Sequence, residues 1–566
     1  MGRIRSIERR LSFLLAIIII SLAGVSGRLI FVQAISAEKY DRLAEKQRLR
    51  IIELPPKRGA ILDRNGNELA VSVMMDTVYA TPYLIKNPEG VAKKLAPILK
   101  MDEWKILNNL TKQAGFTYLV RKTDSETIRQ IKKLIKDEGI KGIDFIKESK
   151  RYYPNSSIGS HVLGLLDMDN RGLGGLELYY NDLLYGKPGK IIAERDAHGR
   201  PIPRSIQSSY RPVDGANICI SIDREIQYKA EVELKTAVNK YKARSGSVIV
   251  MNPRNGEIYA MANVPYYNPN KRGTINNNNL RNRAITDLYE PGSTMKAVIA
   301  CAALEEGLCT PSKSFYLEPT VKIGNKRIKD AHARPAKNFT FSEIVQESSN
   351  VGMVKVGLLL GKGIIIKYLE RFGFTEKSGV DFPGEALGRY PKAENWSQMS
   401  LANIPFGQGI NTTQLVMTNA IATIANDGVP VKPHFLIKTT GKRGRVVKSA
   451  TILHEKRVVS AQTCAEMKHI LEKAVLEGTG EQAKVLGYRV GGKTGTAQKV
   501  KVNERGYEKD KYIASFIGIA PIQDPQLVIS VVIDEPQESI YGGSVAAPVF
   551  SKIAEFSLRY LKIPPE

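Results

Sequence analysis

Three short polar strings in the second half of the chain could together carry out acyl transfer on a serine. They are S-x-x-K at Ser293–Lys296, S-x-N at Ser348–Asn350 and K-T-G at Lys493–Gly495. A serine hydroxyl becomes an effective nucleophile only when a neighbouring base takes its proton. Ser293 is the candidate nucleophile, and Lys296 follows it by one helical turn, close enough to be that base. Burial or a nearby cation would lower the pKa of Lys296 as this role requires, and Lys493 is the candidate cation.

The second string supplies groups that could assist the proton transfers. Ser348 could pass the proton to the leaving amine, and Asn350 could hold both Lys296 and a substrate amide. The segment 342–347 before them is helix-prone, and a turn after it would present both side chains to a cleft. Alone, a Ser-Ser-Asn string is more often a turn or a helix cap. The prediction therefore depends on all three strings occurring in one chain.

The third string predicts a binding edge for the substrate. An apolar stretch precedes it and predicts a strand, whose edge could take a peptide as an added strand. Lys493 and Thr494 could hold a substrate carboxylate through charge-assisted hydrogen bonds, and Gly495 would let the substrate backbone approach closely. The backbone N–H groups of Ser293 and Thr496 are the candidate oxyanion hole.

The sequence around these strings predicts one mixed α and β domain. A helix is expected to start at Thr294 and to end before Gly307, a good stop residue. Strands and a closing helix are expected over 247–251, 257–262, 515–520, 527–533 and 549–561. Because strands lie at both ends of this region with helical sequence between them, we expect one sheet built from distant segments, with a helical insertion.

The N-terminal sequence predicts a single membrane anchor. Residues 11–35 are largely apolar and carry one charge, Arg28, and about 20 apolar residues cross a bilayer. Four arginines and one acid precede this segment, so the positive-inside rule puts the N-terminus in the cytoplasm and the bulk of the chain outside. A cleaved signal peptide is the competing interpretation, but the apolar stretch is long and its cleavage site is poor. Arg28 is expected to reach the outer interface; contact with a membrane partner is the alternative.

The region between the anchor and the three strings carries no convincing catalytic constellation. Residues 40–52 predict a helical, charged stalk, and Asn65-Gly66 predicts a hairpin turn. Residues 90–150 alternate amphipathic helical stretches with short strands, and 150–189 is rich in glycine without the order of elements that a nucleotide site needs. We interpret this region as a spacer or docking module. The expected domains are a cytoplasmic tail over 1–10, a transmembrane signal anchor over 11–35, a pedestal over 36–210 and the catalytic domain over 211–566.

The composition favours a folded protein with a basic surface. The formal net charge is +26, which fits a nucleic-acid binder or a surface held against anionic lipid or cell wall. We favour an ordinary solvated surface and no nucleic-acid partner, because no basic run interleaved with aromatics and no nucleic-acid motif occurs. The four cysteines lack C-x-x-C spacing and the six histidines are scattered, so neither a metal site nor a cofactor is expected. Buried single thiols are favoured over a disulfide between Cys301 and Cys309.

The three strings, in this order, resemble the active-site set of serine enzymes that penicillins acylate, and longer blocks sharpen the resemblance. The blocks lie at 58–70, 151–154, 281–283, 290–296, 406–409 and 541–550. On these residues the chain is similar over nearly all of its length to the class B penicillin-binding proteins, and within them to the division-specific D,D-transpeptidases of Gram-negative bacteria.

The resemblance implies a multidomain α and β fold and a reaction. The fold is one N-terminal transmembrane helix, an elongated α+β pedestal of the dimerisation type, and a β-lactamase/transpeptidase-like domain in which helices and a helical subdomain flank an antiparallel sheet.

The implied reaction is attack of Ser293 on the penultimate D-alanine of a peptidoglycan stem peptide, release of D-alanine, and resolution of the acyl-enzyme by an amine of a neighbouring stem. Penicillins would trap Ser293 as an ester. The implied partners are nascent stem peptides, an FtsW-type glycan polymerase and other divisome proteins, at the division septum of the inner membrane.

Other functions of the same strings remain open. An elongation-specific transpeptidase would catalyse the same reaction within the protein complex that elongates the cell wall. A β-lactamase would lack the anchor and pedestal, and a β-lactam sensor would need a larger cytoplasmic part than residues 1–10. A catalytically silent divisome scaffold would not need three complete strings. The sequence contains no repeats that resemble the wall-binding modules of many Gram-positive relatives, which favours a Gram-negative setting.

Overall fold

The fold is known from a computed structural model that describes residues 2–195, 201–441, 445–449, 456–501 and 506–565. Met1 of the expected tail, and the gaps between these ranges, lie outside the described residues. The chain divides into two compact units, each built from separate segments. The larger unit comprises Arg58–Val73, Arg151–Tyr185 and Gly215–Glu566, and the smaller comprises Met1–Lys57, Met74–Lys150 and Gly186–Asp214.

The helices and strands are numbered in chain order. The helices are α1 (Gly2–Ile30), α2 (Ala37–Arg48), α3 (Pro88–Leu99), α4 (Glu103–Leu110), α5 (Ser125–Glu138), α6 (Ser160–Leu163), α7 (Gly175–Tyr179), α8 (Asn181–Tyr185), α9 (Arg224–Lys240), α10 (Asn277–Leu280), α11 (Arg283–Thr286), α12 (Met295–Glu305), α13 (Phe341–Gln346), α14 (Asn350–Arg371), α15 (Gln398–Asn403), α16 (Gln414–Ala425), α17 (Ala461–Leu476), α18 (Gly542–Val545) and α19 (Ala547–Tyr560). The strands are β1 (Leu49–Leu54), β2 (Ile61–Leu62), β3 (Glu68–Ala80), β4 (Thr117–Thr123), β5 (Ile143–Tyr152), β6 (Gly189–Arg195), β7 (Pro201–Tyr210), β8 (Asn217–Ile220), β9 (Ser245–Met251), β10 (Ile258–Val264), β11 (Ser314–Leu317), β12 (Thr320–Ile323), β13 (Lys326–Lys329), β14 (Lys337–Thr340), β15 (Leu436–Thr440), β16 (Val446–Ser449), β17 (Gly491–Val500), β18 (Tyr507–Ala520) and β19 (Leu527–Asp534).

A five-stranded antiparallel sheet forms the centre of the larger unit. Its order is β10-β9-β19-β18-β17, so strands from both ends of the region join one sheet, as predicted. Side chains of successive strand residues point to opposite faces: Phe516 joins a core with α9 and α19, whereas Ile517 joins a core with α12 and α16. The sheet is therefore covered by helices on both faces, and the predicted fold class is confirmed.

The helical insertion lies between β10 and β17, and α12 is one of its buried helices. Every residue from Met295 to Leu304 is buried, which is the pattern of a helix packed on all sides. The helix ends at Glu305, and Gly307 has φ +65°, so the predicted glycine stop is confirmed. Because the core surrounds α12 on all sides, Met295 and Lys296 at its start are held in place.

Two segments of the predicted pedestal group with the catalytic region in the larger unit. A buried ion cluster ties them together: Arg58 Nε and Arg151 Nε each donate to the Glu177 carboxylate, at 2.7 and 2.6 Å. Arg151 also donates to the Gly59 carbonyl at 2.7 Å. The hairpin predicted at Asn65-Gly66 connects β2 to β3. The boundaries 36–210 and 211–566 stay predictions.

The smaller unit contains helices packed on strands and a separate three-stranded sheet. Helices α3, α4 and α5 share a core with the end of β3 and with β4, and β1, β6 and β7 form the sheet. The stalk helix predicted over 40–52 is wrong at its end, because α2 stops at Arg48 and the chain continues as β1 paired with β6. Residues 49–54 include Ile51-Ile52, and β-branched residues favour strands over helices.

The N-terminal helix has the length and composition of a membrane span. Residues Ile7–Ile35 have a mean hydropathy of 2.3 over their most apolar window, and none of that window is buried. Helix α1 continues into a single wider turn at Phe31–Ile35. This is consistent with the anchor predicted over 11–35.

Candidate active site

Ser293 lies in a tight turn that leads directly into α12. The turn, Gly292–Thr294, is a single 3-10 turn, and Gly292 has φ +55° and donates its N–H to the Gly407 carbonyl at 3.1 Å. Gly292 and Thr294 are buried, whereas Ser293 is only half-buried and lines a cleft. The hydroxyl is thus presented to the cleft at the positive end of a helix dipole.

Lys296 is fully buried beneath the cleft. Its Nζ donates to the Ser348 carbonyl at 2.6 Å, to Asn350 Oδ1 at 2.8 Å and to Ser348 Oγ at 3.2 Å. Burial lowers the pKa of Lys296 well below its ordinary value, the charge of Lys493 lowers it further, and Asp330 opposes the shift. A neutral amine one turn from Ser293 can take a proton. No hydrogen bond joins the two side chains within the described residues, so their proton transfer stays a prediction.

The second string occupies the turn between α13 and α14. A reciprocal cap starts α13, in which Thr340 accepts from the Glu343 N–H at 3.2 Å and Glu343 accepts from the Thr340 N–H at 2.7 Å. The helix ends at Gln346, and Ser348 then has φ +58°, an uncommon conformation for a residue other than glycine. Asn350 is the first residue of α14. The structure thus brings both Ser348 and Asn350 to Lys296. Of these contacts the sequence predicts only that of Asn350, and the roles of both residues in the reaction stay predictions.

The third string lies on β17, at the edge of the central sheet. Lys493 is buried, and burial lowers its pKa to about 7 while Glu347 opposes the shift. Among the described residues its Nζ has only distant partners, the carbonyl and hydroxyl of Thr494, both at 3.4 Å. A cation with so few partners is suited to binding an anion from the cleft.

The neighbours of Lys493 show how tightly this edge is packed. A Cβ on Gly495 would lie 2.3 Å from Ser515 Oγ and 3.1 Å from the Pro291 carbonyl, so a side chain here would displace Ser515 and press on the turn before Ser293. This is a second reason for glycine there, beside the predicted approach of the substrate. Thr496 Oγ1 accepts the Gly542 N–H at 3.1 Å. The oxyanion role of the Ser293 and Thr496 N–H groups stays a prediction.

One cleft of about 880 Å³ joins the three strings. Ser293, Ser348, Asn350, Thr494 and Thr496 line it, and the two lysines lie buried beneath it. The predicted site residues therefore meet at one place, although Ser293 and Thr496 are 203 positions apart in sequence.

Two residues of the site were missed by sequence reasoning. Thr479 shares a hydrogen bond of 2.7 Å with the Thr494 hydroxyl, and Asp330 accepts hydrogen bonds from the turn that contains Ser348. Thr479 lies between two glycines and Asp330 follows a short polar strand. Neither position carries a pattern that distinguishes it from an ordinary loop residue.

The cysteines take no part in the site. All four are buried and unpaired, so the predicted single thiols are confirmed and the disulfide between Cys301 and Cys309 is not formed. Burial raises the pKa of the Cys464 thiol to about 12, which leaves it protonated and unreactive.

Comparison with known proteins matches both main regions of the chain to domains of penicillin-binding proteins. Residues 246–555 match the penicillin-binding protein transpeptidase domain, and residues 53–220 match the penicillin-binding protein dimerisation domain. The chain is 36% identical to stage V sporulation protein D of Bacillus subtilis, over 99% of this chain and 87% of the relative. It is 34% identical to peptidoglycan D,D-transpeptidase FtsI of Buchnera aphidicola, over 99% and 96%, and 33% identical to FtsI of Escherichia coli K12, over 99% and 93%.

Solved structures show the same architecture. Penicillin-binding protein 2X of Streptococcus thermophilus aligns with a TM-score of 0.76 and 26% identity, over 90% of this chain and 80% of that one. Penicillin-binding protein 3 of Mycobacterium tuberculosis, complexed with aztreonam, aligns with a TM-score of 0.71 and 27% identity, over 91% and 98%. With both domains matched and relatives above 30% identity along nearly its whole length, the chain belongs to the class B penicillin-binding proteins and is a peptidoglycan D,D-transpeptidase.

Proposed function

We propose that the chain cross-links peptidoglycan stem peptides through an acyl-enzyme on Ser293. The observation that carries this proposal is the position of Lys296, which is fully buried, hydrogen-bonded to Ser348 and Asn350, and one turn from a serine that faces the cleft. Burial and the charge of Lys493 lower its pKa well below the ordinary value, which favours the neutral amine that could accept the Ser293 proton.

The acylation step follows from these groups. Lys296 takes the proton of Ser293, whose Oγ attacks the carbonyl carbon of the penultimate D-alanine. Collapse of the tetrahedral intermediate breaks the C–N bond, and the terminal D-alanine leaves as an amine after it receives a proton through Ser348. Lys493 and Thr494 hold the terminal carboxylate of the donor during this step.

The deacylation step uses the same groups in reverse. An amine of a second stem peptide attacks the Ser293 ester, passes its proton through Ser348 to Lys296, and forms the new amide as the C–O bond breaks. Ser293 recovers its proton from Lys296. The position of β17 at the edge of the central sheet, with Thr494 and Thr496 lining the cleft, supports binding of the donor as an added strand. The Ser293 and Thr496 N–H groups are the proposed oxyanion hole.

A donor-and-acceptor assay tests this reaction. The purified protein receives a thioester analogue of the D-alanyl stem end together with D-alanine as acceptor amine, and thiol release and the new amide are measured. Ser293→Ala is expected to lose both signals, whereas Ser544→Ala, which removes another serine hydroxyl from the same cleft, is expected to keep them. Equal turnover by wild type and Ser293→Ala would overturn the proposal.

We further propose that this reaction serves the division septum, in the inner membrane, with the N-terminus cytoplasmic and the bulk of the chain in the periplasm. Support comes from the block at 541–550, the pedestal blocks at 58–70 and 151–154, and relatives named FtsI. An FtsW-type glycan polymerase and other divisome proteins are the proposed partners. The alternative is that the same reaction serves cell elongation and not division.

A second alternative comes from the relative named stage V sporulation protein D, which is 36% identical over 99% of this chain. Depletion of the protein in its host separates these roles. Filamentous cells are the result expected for division, swollen round cells would indicate elongation, and normal growth with defective spores would indicate a sporulation role. If expression of Ser293→Ala restores normal growth and shape to the depleted cells, the protein would instead be a catalytically silent scaffold.

A further inference from the structure

The turn that holds Lys296 has an uncommon backbone conformation that its surroundings must maintain. Ser348 has φ +58°, and such residues persist only where neighbouring contacts fix them. The Ser348 carbonyl and Asn350 Oδ1 are the two closest acceptors of Lys296 Nζ, at 2.6 and 2.8 Å. The position of the amine therefore depends on what holds this turn.

The Asp330 carboxylate holds the residues on either side of Asn350. Its Oδ1 accepts from Ser349 Oγ and from the Val351 N–H, both at 3.0 Å, and its Oδ2 accepts from Ser349 Oγ at 3.1 Å. The first N–H groups of a helix have no partner within the helix, and a negative charge is favoured there. Asp330 thus caps the start of α14 from a different segment of the chain.

The end of β13 also orients the Asn350 amide. Asn350 Nδ2 donates to the Lys329 carbonyl at 3.2 Å, which leaves Asn350 Oδ1 facing Lys296. Lys329 and Asp330 are adjacent, so one short segment fixes both the backbone of the turn and the amide that the lysine contacts.

Asp330 is itself firmly held. Arg334 Nε donates to Asp330 Oδ2 at 2.7 Å, and their side chains are only 14% and 9% exposed. Arg334 also donates to the Leu317 and Glu318 carbonyls, at 3.1 and 3.2 Å. The carboxylate is therefore anchored to the strands of the helical insertion.

We propose that Asp330 is a positioning residue for acyl transfer, which fixes the Ser348–Asn350 turn and through it the amine of Lys296. The inference rests on the proposed role of Lys296 as the base for Ser293. Asp330 does not touch the reacting hydroxyl and acts through the turn. Its charge has a second effect, since it favours the protonated form of Lys296 against burial and against the charge of Lys493.

The test compares Asp330→Asn with a matched control, Glu318→Gln, which removes an exposed negative charge from the same insertion. Acylation by a fluorescent penicillin is followed over a range of pH, with the binding constant and the acylation rate constant separated. For Asp330→Asn we expect the acylation rate constant to fall about 10- to 100-fold, since a charged hydrogen-bonding group is lost, with the binding constant little changed. Glu318→Gln is expected to match wild type.

The pH profile separates positioning from a purely structural role. The charges that face Lys296 are Lys493 and Asp330, and Glu347 acts on Lys493. Without the Asp330 charge Lys296 loses its proton at lower pH, so the acid limb of the profile is expected to move to lower pH. A lower rate with an unmoved acid limb, or wild-type rates in Asp330→Asn, would overturn the inference.

A second variant, Arg334→Gln, keeps the inference testable if Asp330→Asn does not fold. If Asp330→Asn gives no cooperative thermal transition, Arg334→Gln removes the ion pair while keeping Asp330, and a smaller fall in the same rate constant is expected. Wild-type acylation in folded Arg334→Gln would then overturn the inference. Failure of the wild type to be acylated at Ser293 would instead overturn the proposed function, so the two failures are distinguishable.

Discussion

The two buried lysines of the site differ in what surrounds their ammonium groups. Lys296 Nζ has three oxygen partners within 3.2 Å, whereas Lys493 Nζ has two at 3.4 Å. Burial lowers both pKa values, and the charge of Lys493 lowers that of Lys296 further. The lowered pKa favours a neutral Lys296 as the base, and below a pH of about 7 Lys493 keeps the proton that it needs to bind a carboxylate.

The pH dependence of acylation should report both lysines. The free enzyme must have Lys296 neutral and Lys493 protonated, so the second-order rate constant for penicillin acylation is expected to follow a bell-shaped profile. The acid limb reflects protonation of Lys296. The alkaline limb reflects loss of the proton from Lys493, whose pKa is about 7. Stopped-flow or gel-based labelling between pH 5 and pH 9 would check this profile, because the range extends about two units on either side of the Lys493 pKa.

Lys493→Arg is the matched variant for the alkaline limb. A guanidinium keeps its charge throughout this range, so the alkaline limb is expected to disappear even if the larger group lowers the maximum rate. An alkaline limb that persists unchanged in Lys493→Arg would show that another group causes it.

At the scale of elements, backbone segments around the nucleophile approach too closely for side chains. A Cβ on Gly407 would lie 2.1 Å from the Gly292 carbonyl oxygen, and one on Gly542 would lie 2.4 Å from that of Gly495. Contacts below 3.0 Å cannot form without movement of the backbone. The turn that carries Ser293 is thus held between the loop after α15 and the edge strand β17.

Two glycines of one loop allow a controlled test of this packing. Gly407 and Gly409 both have positive φ, +79° and +76°, so alanine at either costs about 1 kcal/mol of backbone strain. Only Gly407→Ala would also push the Gly292 backbone, because a Cβ on Gly409 meets nothing within 4 Å. We expect Gly407→Ala to reduce penicillin acylation by about 10-fold or more and Gly409→Ala to change it little. Equal losses in the two variants would contradict the role assigned to the packing.

The local elements were largely predictable from sequence, whereas the contacts between them were not. The glycine after α12, the hairpin of β9 and β10, and the strand at Lys493 follow from turn residues and apolar runs. The left-handed Ser348 and the cap from Asp330 join segments that are 18 positions apart, and no local pattern encodes such a contact. The end of the stalk helix was missed because pairing with β6 overrides the local helical tendency.

At the scale of the whole molecule, chain order and compact units do not coincide. The segments Arg58–Val73 and Arg151–Tyr185 precede the matched transpeptidase domain in sequence and yet group with it. Their buried cluster of two arginines around Glu177 is costly to break, because removal of one partner leaves an uncompensated buried charge. A catalytic fragment that starts at residue 211 would lack this cluster.

Membrane attachment should be separable from penicillin binding. The most apolar window of Ile7–Ile35 has no buried residues in the fold, so its removal takes away no core contacts. Deletion of residues 1–36 is expected to move the protein from the membrane to the soluble fraction while labelling by a fluorescent penicillin is kept. Alkaline carbonate extraction and gel fluorescence measure the two properties. A deleted form that stays in the membrane would contradict a single anchor.

The central claim is that Ser293 forms the acyl-enzyme, and mass spectrometry of a penicillin adduct tests it most directly. The folded full-length protein is incubated with benzylpenicillin, its intact mass is measured, and the modified peptide is located after proteolysis. We predict the addition of one penicillin per chain, on the peptide that contains Ser293, and no adduct in Ser293→Ala. An adduct on another residue, or none on the folded wild-type protein, would contradict the account.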